Sequence, residues 1–267
     1  MARPPVPHKQ PPPPSAEKSP GLPNFKVAGL PAVTALFAND PGRVERLFYD
    51  DRMKPVVGEF CKALAARRKP YRMVPVEELT KIAGSPLHGG ILAVTHPKPV
   101  KPLDCDEAKP WAKAGQPLVI LDGIGNPHNL GAIARTMAFF GLPRLLLSDH
   151  PGQALPSEAA FRVAEGGLEW LEIYRAPNLP QILKRLAADY RVVGTALGAH
   201  RPLDEVLSKN DKPLAVVLGN EEEGLPAATL AACAEIVTIG GSGRVQSLNV
   251  ATTAAILIHR LAGIADR

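Results

Sequence analysis

The stretch Val237-Thr-Ile-Gly-Gly-Ser-Gly-Arg-Val-Gln-Ser-Leu-Asn-Val250 decides how this chain is read. An apolar strand end runs into a glycine-rich turn, then two polar side chains, Ser247 and Asn249, then an apolar helix. Glycine carries no Cβ, so the backbone itself can wrap a small polar ligand at such a place. A phosphate loop is a competing reading, but the Gly-Lys-Ser/Thr ending it needs is absent. Ser247 can equally serve as a helix N-cap, with or without a ligand.

Two upstream segments repeat the strand–turn–helix arrangement. Asn126-Pro-His-Asn-Leu-Gly-Ala-Ile-Ala-Arg135 follows the apolar run Pro117–Leu121. Its Asn129 can cap a helix, and Arg135, within the first two turns, is expected to face the same ligand. That ligand would sit at the C-terminal edge of the sheet, where open α/β sheets bind. Val217-Leu-Gly-Asn-Glu-Glu-Glu-Gly-Leu225 follows a second apolar run. Gly219 permits close backbone approach and Gly224 permits a turn. The three adjacent glutamates would otherwise be a solvated charge cluster.

Working outward, periodicity predicts strands at 117–121, 144–148, 169–174, 191–196, 214–218 and 235–239. Helices are predicted at 129–140, 156–165, 178–189, 225–232 and 248–262. Residues 116–267 therefore read as an α/β domain, a parallel sheet with helices on both faces. Residues 26–97 form a smaller α/β pattern. It has helices over Val27–Phe37, Lys54–Arg67 and Val76–Ile82, and strands over Val44–Tyr49, Tyr71–Val74 and Ile91–Thr95. Residues 98–115 lack periodicity and read as a linker, with Trp111 an anchor. Residues 1–25 form a proline-rich tail, expected to be extended and disordered.

Charge separates the two parts. The chain has 31 basic and 26 acidic residues. The excess is +3 in residues 1–26 (four basic, one acidic) and +4 in 27–115 (14 basic, 10 acidic). Residues 116–267 carry −2 (13 basic, 15 acidic). A basic front end suits a phosphate backbone, although a solvated surface is the bland alternative for Arg67-Arg68-Lys69. Aromatics at 5% argue against extensive base stacking. No apolar run approaches the roughly 18 residues of a membrane span, and no secretory signal core is evident. Cys61, Cys105 and Cys233 lie far apart, with no metal-ligand spacing, and a reduced cytoplasmic protein is the simplest reading.

The order and spacing of Asn129-x-Gly131-x-x-x-Arg135, of Leu218-Gly219-x-Glu221-x-x-Gly224 and of Ile239 through Asn249 resemble the three motifs of the SpoU/TrmH family of RNA ribose 2'-O-methyltransferases. Val27–Phe37, Asp40-Pro-Gly-Arg-Val44 and His88-Gly-Gly-Ile-Leu-Ala-Val94 resemble the L30e-like substrate-binding domain that precedes the catalytic domain in many members. The resemblance implies a SPOUT fold with a deep trefoil knot, S-adenosylmethionine as cofactor, an rRNA or tRNA substrate and a homodimer built through the last helix. It implies a catalytic pocket of Arg135, Asn129, Glu221, Ser247 and Asn249. Thr195, Ala196, Gly219, Asn220, Ile239 and Leu248 would hold the cofactor, and no metal is called for. One departure stands out: the family's Ile-Pro-Met is Ile239-Gly240-Gly241 here. It leaves open a catalytically silent RNA-binding homologue. A dinucleotide-binding dehydrogenase would need Gly-x-Gly-x-x-Gly where the chain has Ile124-Gly-Asn-Pro-His128.

Overall fold

The computed structural model describes residues 25–198, 201–207, 212–220 and 222–265, so the tail expected over 1–25 lies almost entirely outside the described residues. Two sheets organise the chain. The small sheet is ordered β1–β4–β2–β3, from β1 (Phe25–Ala28), β2 (Val44–Tyr49), β3 (Tyr71–Met73) and β4 (Ile91–Thr95). It carries helices α1 (Leu30–Asn39), α2 (Gly58–Ala66) and α3 (Val76–Ala83). The helix expected over Val27–Phe37 is thus split. Gly29, at φ 91°, breaks the chain after a four-residue strand, and Pro31 then starts α1 with its φ already set.

The large sheet takes its edge strand β5 (Lys101–Pro102) from the segment expected to be a linker. That segment also folds into α4 (Cys105–Lys113), which buries Cys105, Ala108 and Ala112. Trp111 does act as an anchor, with its ring 5.2 Å from that of Tyr174 and the Arg144 guanidinium 4.3 Å above it. Then follow β6 (Leu118–Asp122), α5 (Pro127–Phe139), β7 (Arg144–Ser148), α6 (Glu158–Ala164), β8 (Glu172–Ala176) and α7 (Leu179–Leu186). Next come β9 (Arg191–Thr195), β10 (Arg201–Pro202), α8 (Leu203–Leu207), β11 (Leu214–Gly219), α9 (Ala227–Leu230), β12 (Glu235–Thr238) and α10 (Val250–Ala265). The strand expected at 169–174 begins three residues later, because Gly167–Trp170 forms a 3-10 turn. The short β10–α8 unit was not anticipated at all.

The large sheet's order is β10–β12–β9–β11–β6–β7–β8–β5, and its strands pair in parallel among the described residues. Side chains alternate across the pleat. Val119 and Leu121 enter one apolar cluster with α5, α6 and α10, while Leu118 and Ile120 enter another with α4 and α7. Each such side chain, fully buried, contributes about 1.5–3 kcal/mol, which is why both helical layers hold.

The first of these clusters does not stop at the large sheet. It continues through Val27, Val33, Leu36, Leu47 and Ile91 of the small one. Phe25 meets Phe161 edge-on at 5.2 Å, and Lys26 N–H donates to Glu158 at 2.9 Å. At the 3-10 turn, Arg43 of the small sheet's side donates two hydrogen bonds to the Glu169 carboxylate, at 3.0 and 2.9 Å. Lys98 adds a second cation, its Nζ donating to the Glu169 carbonyl at 3.2 Å. A Cβ on Gly166 would lie 2.9 Å from both Ala35 Cβ and the Pro31 carbonyl oxygen of α1. Only glycine lets the two parts approach this closely.

Candidate active site at the strand ends

Four neighbouring strands, β12, β9, β11 and β6, end on one edge of the large sheet. Because all run parallel, their C-terminal loops are brought side by side. The β11 loop is the most tightly built. Asn220 and Gly224 exchange backbone hydrogen bonds at 3.2 and 3.0 Å. Asn220 Oδ1 accepts from Glu222 N–H at 2.8 Å and Glu223 N–H at 3.2 Å, and its Nδ2 donates to the Gly123 carbonyl at 3.0 Å. A Cβ on Gly219 would lie 2.5 Å from the Gly224 carbonyl carbon, so the closing turn demands glycine there.

Beside this loop, Thr195 at the end of β9 donates its hydroxyl to the Val217 carbonyl at 3.1 Å. Ala196 N–H donates to the Val237 carbonyl at 3.1 Å. β12 then leads through half-buried Ile239 into residues 240–249, which are exposed throughout. A Cβ built on Gly240, Gly241 or Gly243 meets nothing within 4 Å, so this loop borders open space. The loop closes on α10, where Asn249 Oδ1 accepts from Ala251 N–H at 2.8 Å. Asn249, rather than Ser247, is therefore the capping side chain. Its Nδ2 donates to Asn129 Oδ1 at 3.2 Å, tying the first and third segments together across 120 residues.

Asn129 itself is not the cap expected of it. Asn126 caps α5, accepting from His128 N–H at 2.9 Å, and Asn129 is buried within the first turn. Arg135 also departs from expectation. It does not join the Asn129–Asn249 pair but lies exposed, with Nη2 2.8 Å from Glu165 Oε2. Six residues of α-helix rotate about 600°, which leaves Asn129 and Arg135 roughly 120° apart. Of the remaining expected residues, Thr195, Ala196, Gly219, Asn220 and Ile239 share the edge. Ser247 and Leu248 lie on the exposed loop. Glu221 lies outside the described residues.

Sequence reasoning missed three groups. Asp122, which ends the otherwise apolar β6, is buried and accepts the Thr229 hydroxyl at 2.7 Å. A carboxylate closing an all-buried strand is the signal that marks it. Cys233 sits beneath the same corner, its thiol near the Thr229 carbonyl at 3.2 Å. Burial, with the Asp122 charge adding, pushes this thiol up to about 12, so it stays protonated and offers no thiolate nucleophile at neutral pH. The third is Glu165, whose sequence sign is its place before Gly166-Gly167. Next to the edge, an open groove of about 990 Å³ is walled by Phe140, Leu203, Ile239, Ala255, Ile256 and His259. Among the described residues no helix is long and apolar enough to cross a membrane.

Residues 116–259 match the SpoU rRNA Methylase family, and residues 26–100 match the family described as RNA 2'-O ribose methyltransferase substrate binding. An uncharacterized tRNA/rRNA methyltransferase YfiF of Escherichia coli O157:H7 is 33% identical over 239 residues, 87% of this chain and 66% of that protein. The 23S rRNA (guanosine-2'-O-)-methyltransferase RlmB of Haemophilus influenzae is 31% identical over 245 residues, 88% of this chain and 96% of that one. The chain thus spans about two thirds of the first of these relatives and nearly all of the second. Among solved structures, an AdoMet-bound rRNA methyltransferase from Sinorhizobium meliloti aligns with a TM-score of 0.74 at 23% identity, over 90% of this chain and 87% of that one. The SpoU methyltransferase AviRb from Streptomyces viridochromogenes aligns with a TM-score of 0.69 at 23% identity, over 91% of each chain.

Proposed function

We infer that this chain, which belongs to the SpoU rRNA methylase family, transfers a methyl group from S-adenosylmethionine to a ribose 2'-hydroxyl of rRNA or tRNA. The observation that carries the reading is the Asn129–Asn249 hydrogen bond, which joins the first and third family motifs at the strand ends. The cofactor fits what the edge offers. The adenosyl group needs backbone donors and acceptors at close range, and the Gly219 turn beside the open glycine loop supplies that shape. Thr195, Ala196, Gly219, Asn220, Ile239 and Leu248 are the residues proposed to hold it. When bound, it supplies an already activated methyl group, so the protein's task is alignment and charge stabilisation.

Arg135 is always charged and does not serve as a base. We assign it to an RNA phosphate or to the oxyanion developing on the ribose. Asn129, Glu221, Ser247 and Asn249 complete the proposed pocket. Asn249 is the pivot, because one amide both starts α10 and fixes the Asn129 side chain. The small sheet, within proposed domain 26–97, is assigned to RNA docking, which its +4 neighbourhood favours. The groove against α10, with half-exposed Ile256 on its wall, supports a homodimer through this face. The strand order, with the later strands β11 and β12 flanking β9, supports the family's knot. A cytoplasmic location goes with the proposed RNA substrate.

Calorimetry with S-adenosylmethionine on wild type, Asn249→Ala and Arg135→Ala tests this reading. Saturable binding that Asn249→Ala abolishes and Arg135→Ala retains is the expected result, followed by mapped 2'-O-methylation. A folded protein that binds RNA but no cofactor at millimolar concentration would instead be a silent homologue.

A further inference from the structure

Glu165 stands at a position that ordinarily suits glycine. It follows the last residue of α6 at φ 45° and ψ 44°, in the left-handed region. Non-glycine residues enter that region at a cost, and asparagine or aspartate tolerate it better than glutamate. Such a residue persists where its surroundings dictate the backbone and its side chain has a use.

The surroundings here do dictate it. The two glycines that follow are clamped from opposite sides. A Cβ on Gly166 would strike Pro31 and Ala35 of α1, and a Cβ on Gly167 would lie 2.7 Å from Arg135 Cα and 2.9 Å from the Ala134 carbonyl oxygen. Two residues further on, Glu169 is held by Arg43 and Lys98. The chain around Glu165 is thus fixed between the small sheet's helix and α5. Its carboxylate is delivered 2.8 Å from Arg135 Nη2.

We propose that Glu165 is a positioning residue for Arg135, holding one edge of the guanidinium so that its other N–H donors face the incoming ribose–phosphate. The proposal rests on the assignment of Arg135 to RNA or to the reacting oxygen. Guanidinium carries five donors in a planar fork, and the contact with Glu165 is made through one nitrogen. A flexible arginine that is half-exposed would otherwise sample many rotamers and meet its anion in few of them. The placement also gives the small sheet a physical route to the reacting centre. Pro31 and Ala35 press on Gly166, Gly166 sets Glu165, and Glu165 sets Arg135.

The test uses the full chain with Glu165→Gln and Glu165→Gly. Both remove the charge, and Glu165→Gly also relaxes the left-handed backbone. The expected result is a kcat about tenfold lower for both, with KM for RNA and cofactor affinity within about twofold of wild type. Glu165→Gly should melt at or above the wild-type temperature, so that stability and rate move in opposite directions. In an Arg135→Lys background, Glu165→Gln should cost little more, because the two residues act as one unit. An unchanged kcat, or a loss that multiplies independently of Arg135→Lys, overturns the proposal. A lowered KM with unchanged kcat overturns it too, since Glu165 would then be a competing anion. Nuclear magnetic resonance of the Arg135 Nε–H group separates this failure from failure of the methyltransferase reading. An ordered signal in wild type that becomes mobile in Glu165→Gln supports positioning even if no RNA is methylated. Equal mobility in both removes the idea on its own.

Discussion

Two glutamates four residues apart, on either side of the same glycine pair, each face an arginine, and the two pairs could hardly differ more. Glu169 is wholly buried and grips Arg43, itself 8% exposed, through both oxygens. Glu165 is 51% exposed and touches Arg135, 57% exposed, through one. Water decides what each can be. A buried pair broken on one side leaves a charge stranded in a poor solvent, so it behaves as structure. An exposed pair adds roughly 0–1 kcal/mol, so it is free to serve chemistry instead.

The largest expected effect comes from breaking the buried pair. Glu169→Ala strands Arg43 and Lys98 and should cost about 3–5 kcal/mol in denaturant unfolding. Arg135→Ala should do the reverse. We expect methylation to fall about 10²- to 10³-fold, with stability within about 0.5 kcal/mol of wild type. A large loss of stability in Arg135→Ala would erase the contrast between the pairs. Gly167→Ala tests the turn they share. Its Cβ would press on Arg135 Cα at 2.7 Å, and we expect about 1–3 kcal/mol of destabilisation together with a slower reaction.

The smallest effect sharpens the buried side. Burial lowers the pKa of Lys98 from its usual value, against the attraction of Glu169. The folded chain therefore holds that proton less tightly than the unfolded chain does. The charged form costs stability near neutral pH, and the cost fades as pH rises through the lowered folded value toward the unfolded value near about 10.4. Lys98→Met should gain about 1 kcal/mol or less at pH 7, and thermal melts should show the gain vanishing toward pH 10. A gain that grows with pH would contradict this assignment.

Much of both sheets was legible because most of their strands are apolar runs of five or six residues closed by turn signals. Val44–Tyr49, Ile91–Thr95 and Arg144–Ser148 fall on their expected bounds. What failed were elements too short or too small to carry a period. β5 and β10 have two residues each, and α4 buries a cysteine and two alanines around an internal Pro110. β1 was swallowed by the following helix because four residues give no alternation to count. The strand-end residues were legible as a group, since turn glycines and polar side chains after apolar strands mark an edge directly. The facing of Asn129 and Arg135 was not. It depends on helical phase, and the partner of Arg135 comes from a left-handed turn that no local pattern announces.

The apolar packing that runs unbroken from Leu36 and Ile91 into Leu130 and Phe161 has a mechanical consequence. A protein with a hinge can adapt its span to its target. This one has filled the seam where a hinge would lie. Packing of that kind sets its basic front and its strand-end edge at one spacing, like the jaws of a calliper. An RNA that is to touch both must bring two features at that separation, or be bent until it does.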